Sequence, residues 1–206
     1  MPLKNRIIVG ISGASGAVYG VRMLQVLRDL PVETHLVMSR AAEMTLAYET
    51  DFKTKDVRTL ADIVHSVGDV GAPIASGSFR TLGMVIAPCS VHSMAEIATG
   101  VTSNLLTRAA DVVLKERRRL VLMLRETPLH TGHLRNLTAL SEMGAIIAPP
   151  VPAFYAKPTS VDEIVDHSIG RVLDLFGFDT GTVRRWGEPP HENETPAAGK
   201  AKRKRR

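Results

Sequence analysis

At 206 residues the chain has the length of one domain with a tail to spare; 44% hydrophobic residues are enough to bury a core, and 23% charged residues mark an ordinary soluble protein. No apolar run approaches the ~18 residues of a membrane helix, the basic start at Lys4 and Arg6 does not continue into a signal peptide, and a single cysteine, Cys89, excludes an internal disulfide framework and fits a reducing, cytoplasmic setting. The net charge of +5 sits at the end: six of the seven residues 200–206 are Lys or Arg, so the body is close to neutral and is not a basic surface built for nucleic acid.

The run from Arg6 to Ile11 reads as a short buried strand that breaks at Ser12-Gly13-Ala14-Ser15-Gly16. A helix follows, with Ala17, Val21, Leu24 and Leu27 on one face. Thr34 to Ser39 is a second strand and Ala41 to Glu49 a helix. Residues 51–77 read as a long connection with one helix. Leu82 to Ala87 is a third strand, ending in Pro88-Cys89-Ser90. Thr107 to Arg118 is helical, Leu120 to Leu124 is a fourth strand ending in Arg125-Glu126, His133 to Met143 is a helix, and Ala145 to Ala148 is a fifth strand. After a proline-rich loop from Pro149 to Pro158, Ser160-Val161-Asp162-Glu163 forms a capping box. It opens a last helix with Val161, Ile164, Val165, Ser168, Val172 and Phe176 inward. From Pro189 the composition is Pro, Glu, Asn, Ala and Lys without apolar period, which predicts a disordered tail over 189–206 behind a folded domain over 1–188.

Short apolar strands alternating with helices predict a three-layer α/β fold: a parallel sheet with helices on both faces. In such sheets ligands sit at the carboxyl ends of the strands, where connections diverge. Each such end carries something unusual: Gly13-Ala14-Ser15-Gly16, Ser39-Arg40, Cys89-Ser90 and Arg125-Glu126. Glycines, hydroxyls and an arginine suit a phosphorylated ligand, and the first turn precedes a helix whose N-terminus offers free N–H groups. The spacing is not the dinucleotide pattern, and the second strand ends in Ser39-Arg40 instead of the acid that grips a ribose diol.

Several other groups carry two readings each. Ser90, Val91, His92 and Ser93 offer two hydroxyls and fresh backbone amides to a phosphate or ring edge, while Cys89 reads as packing and His92 as structural; the Gly13–Gly16 turn also reads as a plain tight turn. Arg108, Lys115, Arg125, Tyr155 and Arg171 are donors that suit a departing phosphate, or surface charges. Lys115 to Arg119 also reads as a solvated helix end. Glu49 and Glu126 are acids that can shuttle protons, and Glu126 beside Arg125 reads equally as a salt bridge. His130 and His133 have a metal-compatible spacing without further ligands, so no metal is expected.

Taken in order, Gly13-Ala14-Ser15-Gly16-Ala17, Glu49-Thr50-Asp51, Ala75-Ser76-Gly77-Ser78, Pro88-Cys89-Ser90, Asn104-Leu105-Leu106, Leu114-Lys115-Glu116-Arg117-Arg118, Arg125-Glu126-Thr127-Pro128, Phe154-Tyr155 and Arg185-Trp186-Gly187-Glu188 resemble the flavin prenyltransferase family, the UbiX-type enzymes. The resemblance runs from about Arg6 to Glu188. It implies a Rossmann-like or flavodoxin-like sheet that binds FMN, and transfer of a dimethylallyl group from dimethylallyl monophosphate to N5 and C6 of reduced FMN, without metal. It further implies a homo-dodecamer and a UbiD-type decarboxylase that receives the prenylated FMN, in ubiquinone biosynthesis or aromatic acid decarboxylation. Carried over by position, Gly13, Ala14, Ser15, Ser39, Ser90 to Ser93 and Arg125 match FMN-binding positions, and Tyr155 and Arg171 match donor-phosphate positions. Arg108 and Lys115 match added phosphate contacts across a subunit boundary. Ser15, Glu49, Lys115 and Glu126 match the catalytic set. The sequence departs from some members near Val70, where they carry a tryptophan beside the donor. Three other readings compete: an FMN-dependent decarboxylase, whose catalytic histidine and asparagine-rich signature are missing here; a non-catalytic FMN carrier; and nucleic-acid binding through the tail.

Overall fold

The computed structural model describes residues 5–187. Six parallel strands form one sheet: β1 (Arg6–Ile11), β2 (Glu33–Met38), β3 (Ile63–His65), β4 (Gly83–Cys89), β5 (Arg119–Leu124) and β6 (Ile146–Ile147), in the order β3-β2-β1-β4-β5-β6. Seven helices cover it: α1 (Ala17–Leu27), α2 (Arg40–Glu49), α3 (Thr54–Arg58), α4 (Val91–Thr99), α5 (Leu105–Lys115), α6 (Thr131–Glu142) and α7 (Val161–Asp174). Every residue of β4 is buried, as are all but the first of β1, β2 and β5. Strands this apolar hold only where both faces are covered.

Alternation within each strand divides the core in two. Ile7, Val9 and Ile11 pack with α1, α2, α3 and α7 through Leu24, Leu46, Val57 and Leu173. Ile8, Met84 and Ile86 pack with α4, α5 and α6 through Met94, Leu106, Val113 and Leu140. The chain therefore leaves β1 toward one face and β4 toward the other. The two neighbouring strands part their connections at their carboxyl ends, which is where a doubly wound sheet opens a crevice.

The elements differ from the sequence reading in identifiable places. Residues 51–77 hold α3, β3 and a 3₁₀ turn at Pro73–Ala75 where one helix was expected. β3 is three residues at the sheet edge, too short for a periodic signal. Side chains at its ends tie it to β2: Asp62 accepts from the Thr34 amide (2.7 Å) and hydroxyl (2.8 Å), and the stacked rings of His35 and His65 share a hydrogen bond of 2.9 Å. Burial lowers the pKa of both histidines, which suits uncharged rings in stacking contact. What was expected as the fifth strand is thus the sixth, β6. The turn expected after Ser90 is the start of α4, hidden by its polar residues and stopped at Gly100 in the left-handed region (φ 72°). α5 begins at Leu105, two residues earlier than expected, and stops at Lys115. α6 begins at Thr131, with His130 as its cap.

At α7 the Ser160 hydroxyl accepts from the Glu163 amide (3.2 Å), but the Glu163 carboxylate reaches back to the amide and hydroxyl of Thr159 (both 2.7 Å), one residue beyond the box partner expected. Val161, expected inward, is exposed because the first turn of α7 stands clear of the sheet; Val165, Ser168, Val172 and Phe176 are buried as expected. Arg118 is also not a solvated helix end. Its guanidinium donates to the carbonyls of Gly77 (2.6 Å) and Phe79 (2.7 Å) and clamps the small-residue loop against the end of α5. The tail expected over 189–206 lies outside the described residues.

α1 crosses β4 closely at Gly20. A Cβ there would press on the Ala87 carbonyl oxygen and come within 2.6 Å of Ile11 Cδ1. Gly20→Ala should therefore cost about 1–2 kcal/mol by overpacking, even though alanine in a helix interior gains about 1 kcal/mol. A lowered urea midpoint at unchanged slope is the expected measurement.

Candidate functional site

A cleft of about 510 Å³ lies on the carboxyl edge of the sheet over β1 and β4, within the size range of small-molecule sites. Its floor is the β1–α1 turn. Gly13 is needed there because a Cβ would collide with Ala41 at the start of α2. Ser12, 1% exposed, joins this turn to the end of β4: its hydroxyl donates to the Pro88 carbonyl (2.9 Å) and accepts from the Ser90 amide (2.7 Å). The sequence reading passed over Ser12, which no motif distinguishes from its neighbours.

Three helices begin on this edge, each with a side-chain cap. Ser39 accepts from the Ala42 amide (3.0 Å) at α2, Ser90 from the Ser93 amide (3.2 Å) at α4, and Asn104 from the amides of Leu106 (2.9 Å) and Thr107 (3.2 Å) at α5. The cap at α4 leaves the first amides, Val91 and His92, without intrahelical partners, and both residues line the cleft. The Ser90 hydroxyl donates to Ser93 (3.2 Å), so the Ser93 hydrogen is left to point elsewhere. Asn104 and Thr127 also line the cleft and were not among the expected site residues. An asparagine directly before an apolar periodic run is the signal that finds Asn104. His92 stands on the rim, 77% exposed at its side chain, with Nε2 3.7 Å from Glu96.

The fourth helix end is closed from within. At α1 the Glu49 carboxylate accepts from the Gly16 (2.8 Å) and Ala17 (3.0 Å) amides, so the free N–H groups expected there are taken. Burial acts to raise the Glu49 pKa, but hydrogen bonds from Ser15 and these two amides, with the Arg125 charge, outweigh it and hold the carboxyl below its usual value. Ser15 and Glu49, expected in the catalytic set, are thus brought together. Arg125 reaches the cleft from the end of β5, anchored by its amide on the Cys89 carbonyl (3.0 Å). Glu126 lines the cleft beside it and accepts from the Thr127 amide (2.9 Å). The arrangement offers the Arg125 guanidinium, open amides and several hydroxyls, a donor set for a phosphate and a flat polar ring. Among the described residues no group of three His, Cys, Asp or Glu stands ready for a metal; His130 instead caps α6 through Nδ1 (3.0 Å to the Gly132 amide). Cys89 is fully buried beneath the site, and burial pushes its thiol up to about 12.

The flavoprotein family model matches residues 1–173. Flavin prenyltransferase UbiX of Escherichia coli K12 is 62% identical over 174 residues, covering 84% of this chain and 92% of that protein. The chain belongs to the flavin prenyltransferase family. In fold it is similar to AnUbiX (PadA1), whose structure contains FMN and dimethylallyl pyrophosphate (TM-score 0.89, 53% identity, 90% of this chain and 99% of that one). It is also similar to a dodecameric FMN-dependent UbiX-like decarboxylase of E. coli O157:H7 (TM-score 0.87, 53% identity, 89% and 100%).

For a flavin prenyltransferase the expected site residues fall in three places. Gly13, Ala14, Ser15, Ser39, the Ser90–Ser93 turn, Arg125 and Glu126 line the one cleft. Tyr155 and Arg171 instead share a second cavity of about 300 Å³ between the loop after β6 and α7. Arg108 pairs with Asp111 (2.8 Å) and Lys115 with Glu116 (2.6 Å) on α5, and neither lines the cleft. α5 starts at the cleft and runs to the opposite sheet edge, so at about 1.5 Å per residue Lys115 ends about 15 Å away within its own chain.

Two outcomes are expected. Glu49→Gln should lower stability at neutral pH by about 1 kcal/mol, the usual worth of a helix cap, with the exposed site adding little beyond it. Because the folded carboxyl is held low, its contribution is complete above the ordinary value of about 4.3 and is lost as pH falls through the lowered one. Urea unfolding curves of the two proteins should therefore converge in acid. Native protein at pH 8 should resist iodoacetamide, and urea-unfolded protein should react at one thiol.

Proposed function

We propose that the cleft binds reduced FMN and that the enzyme transfers a dimethylallyl group from dimethylallyl monophosphate to N5 and C6 of that flavin. The observation that carries this reading is that all nine expected FMN-binding residues, taken from four separate strand ends, line one cleft at the sheet's switch point. The donor set fits the ligand. Arg125 and the open amides of α4 suit the FMN phosphate.

Reduced flavin supplies the nucleophile when bound. The protein must then hold the donor while its carbon–oxygen bond breaks and phosphate leaves as a dianion. Tyr155 and Arg171 offer the hydroxyl and guanidinium for that phosphate, with transition-state charge stabilisation as their role. Arg108 and Lys115, which do not line the cleft of their own chain, add charge from a neighbouring subunit of a homo-dodecamer. Ser15, pinned by Glu49, and Glu126 stand where protons released during transfer and ring closure can be taken up. The product, prenylated FMN, passes to a UbiD-type decarboxylase in the cytoplasm.

Anaerobic incubation with reduced FMN and dimethylallyl monophosphate, followed by mass spectrometry of the released flavin, tests the reading. A flavin heavier by one C5 unit is expected, and Arg125→Ala should weaken FMN binding about 10- to 100-fold, the worth of hydrogen bonds to a charged group. Flavin of unchanged mass with both the monophosphate and the diphosphate donor would overturn it and favour a decarboxylase or a carrier.

A further inference from the structure

Tyr155 is held on two sides. Its ring meets His167 of α7 edge-on (centroids 5.8 Å apart, 81°) and Trp186 likewise (5.6 Å, 85°). The segment carrying Trp186 is pinned by Val183, buried against Gly170, by the Arg184 guanidinium donating to the Ala156 carbonyl (2.9 Å), and by Arg185 bound twice to Asp174 (both 2.9 Å). Asp174 also accepts from Arg171 (2.7 Å). His167 itself is buried, one helical turn from Arg171, and both line the cavity they share with Tyr155.

The hydrogen-bond partners of His167 fix its tautomer. Nε2 lies 3.4 Å from the Tyr155 hydroxyl and 3.4 Å from the Arg184 carbonyl oxygen. A carbonyl only accepts, so Nε2 carries the hydrogen. A nitrogen that carries a hydrogen cannot accept the one on Tyr155, so the phenol oxygen faces His167 as an acceptor and its own hydrogen must turn away. The cavity that Arg171 also lines receives it. We infer that His167 is a positioning residue that aims the Tyr155 hydroxyl hydrogen at a phosphate oxygen held by Arg171. Nothing in the sequence marked it, since His167 belongs to no motif and sits on the buried face of an amphipathic helix, where a histidine is ordinarily read as packing.

The inference rests on the reading of this cavity as the donor-phosphate site, and its test separates the two. The affinity of FMN-loaded protein for dimethylallyl monophosphate is measured by calorimetry, beside the KM for the same donor. His167→Leu should weaken donor binding about tenfold, the size of one misdirected hydrogen bond to a charged group, and leave FMN affinity unchanged. His167→Gln, which can still donate to the two oxygens, should stay within about threefold of the parent. In a Tyr155→Phe background His167→Leu should add nothing, because the hydroxyl it directs is gone. Additive losses in the double variant would show that His167 acts through the segment around Arg184 and would overturn the inference, as would a His167→Leu protein that binds donor like the parent. A parent protein that binds the donor normally yet leaves the flavin unchanged in mass would overturn the transfer reading alone.

Discussion

The site depends on the two hydrogen bonds of Ser12. Two parallel strands that send their chains to opposite faces must separate at their ends, and the separation exposes backbone groups in a position that water or a ligand would otherwise have to satisfy. The buried Ser12 hydroxyl, giving to Pro88 and receiving from Ser90, spans that separation beside the Ser12 amide, which also donates to Pro88 (3.2 Å). It fixes the distance between the β1–α1 turn and the start of α4, and with it the spacing of Gly13, Ser15, Ser90 and Ser93 around the cleft. Arg125 is tied into the same frame by its amide on Cys89. The electropositive edge is thus assembled by backbone and by one serine before any charged side chain takes part.

Much of this was legible in the chain because the signals are local. Buried parallel strands read as unbroken apolar runs, and β1, β2, β4 and β5 were found that way. The strand-end positions of Gly13, Ser39, Ser90 and Arg125 followed, and a parallel sheet requires its strand ends to share an edge. What escaped has a common physical cause. β3 is held by Asp62, His35 and His65 and not by its own periodicity. α4 is set by its cap and by Gly100 while its surface is polar. Ser12 matters only because β4 lies beside β1, an adjacency that no single stretch of sequence encodes.

The division of the expected site into two cavities has the same origin. Residues on strand ends converge because the sheet forces them to, whereas Tyr155, Arg171, Arg108 and Lys115 sit on a loop and on helix faces whose positions depend on tertiary packing. Around Tyr155 that packing is specific: Asp174 receives both Arg171 and Arg185, and its pKa is lowered chiefly by the Arg185 hydrogen bond, against the opposing effect of burial. A carboxylate shared by two guanidiniums keeps Arg171 on the cavity wall while neutralising part of its charge. An arriving dianion therefore competes with Asp174 for Arg171.

Glu49 has a consequence for ligand choice. The strand order is that of the dinucleotide-binding sheets, in which the first turn and helix accept a pyrophosphate on open amides. Here the chain carries its own anion to that place. A dinucleotide laid across the sheet in the usual manner would bring its pyrophosphate against a carboxylate already bonded to Gly16 and Ala17, and like charges would meet over a few ångströms. The side chain thus acts as a resident tenant that excludes the longer class of nucleotides and leaves the neighbouring helix ends, at α2 and α4, to a ligand with a single terminal phosphate.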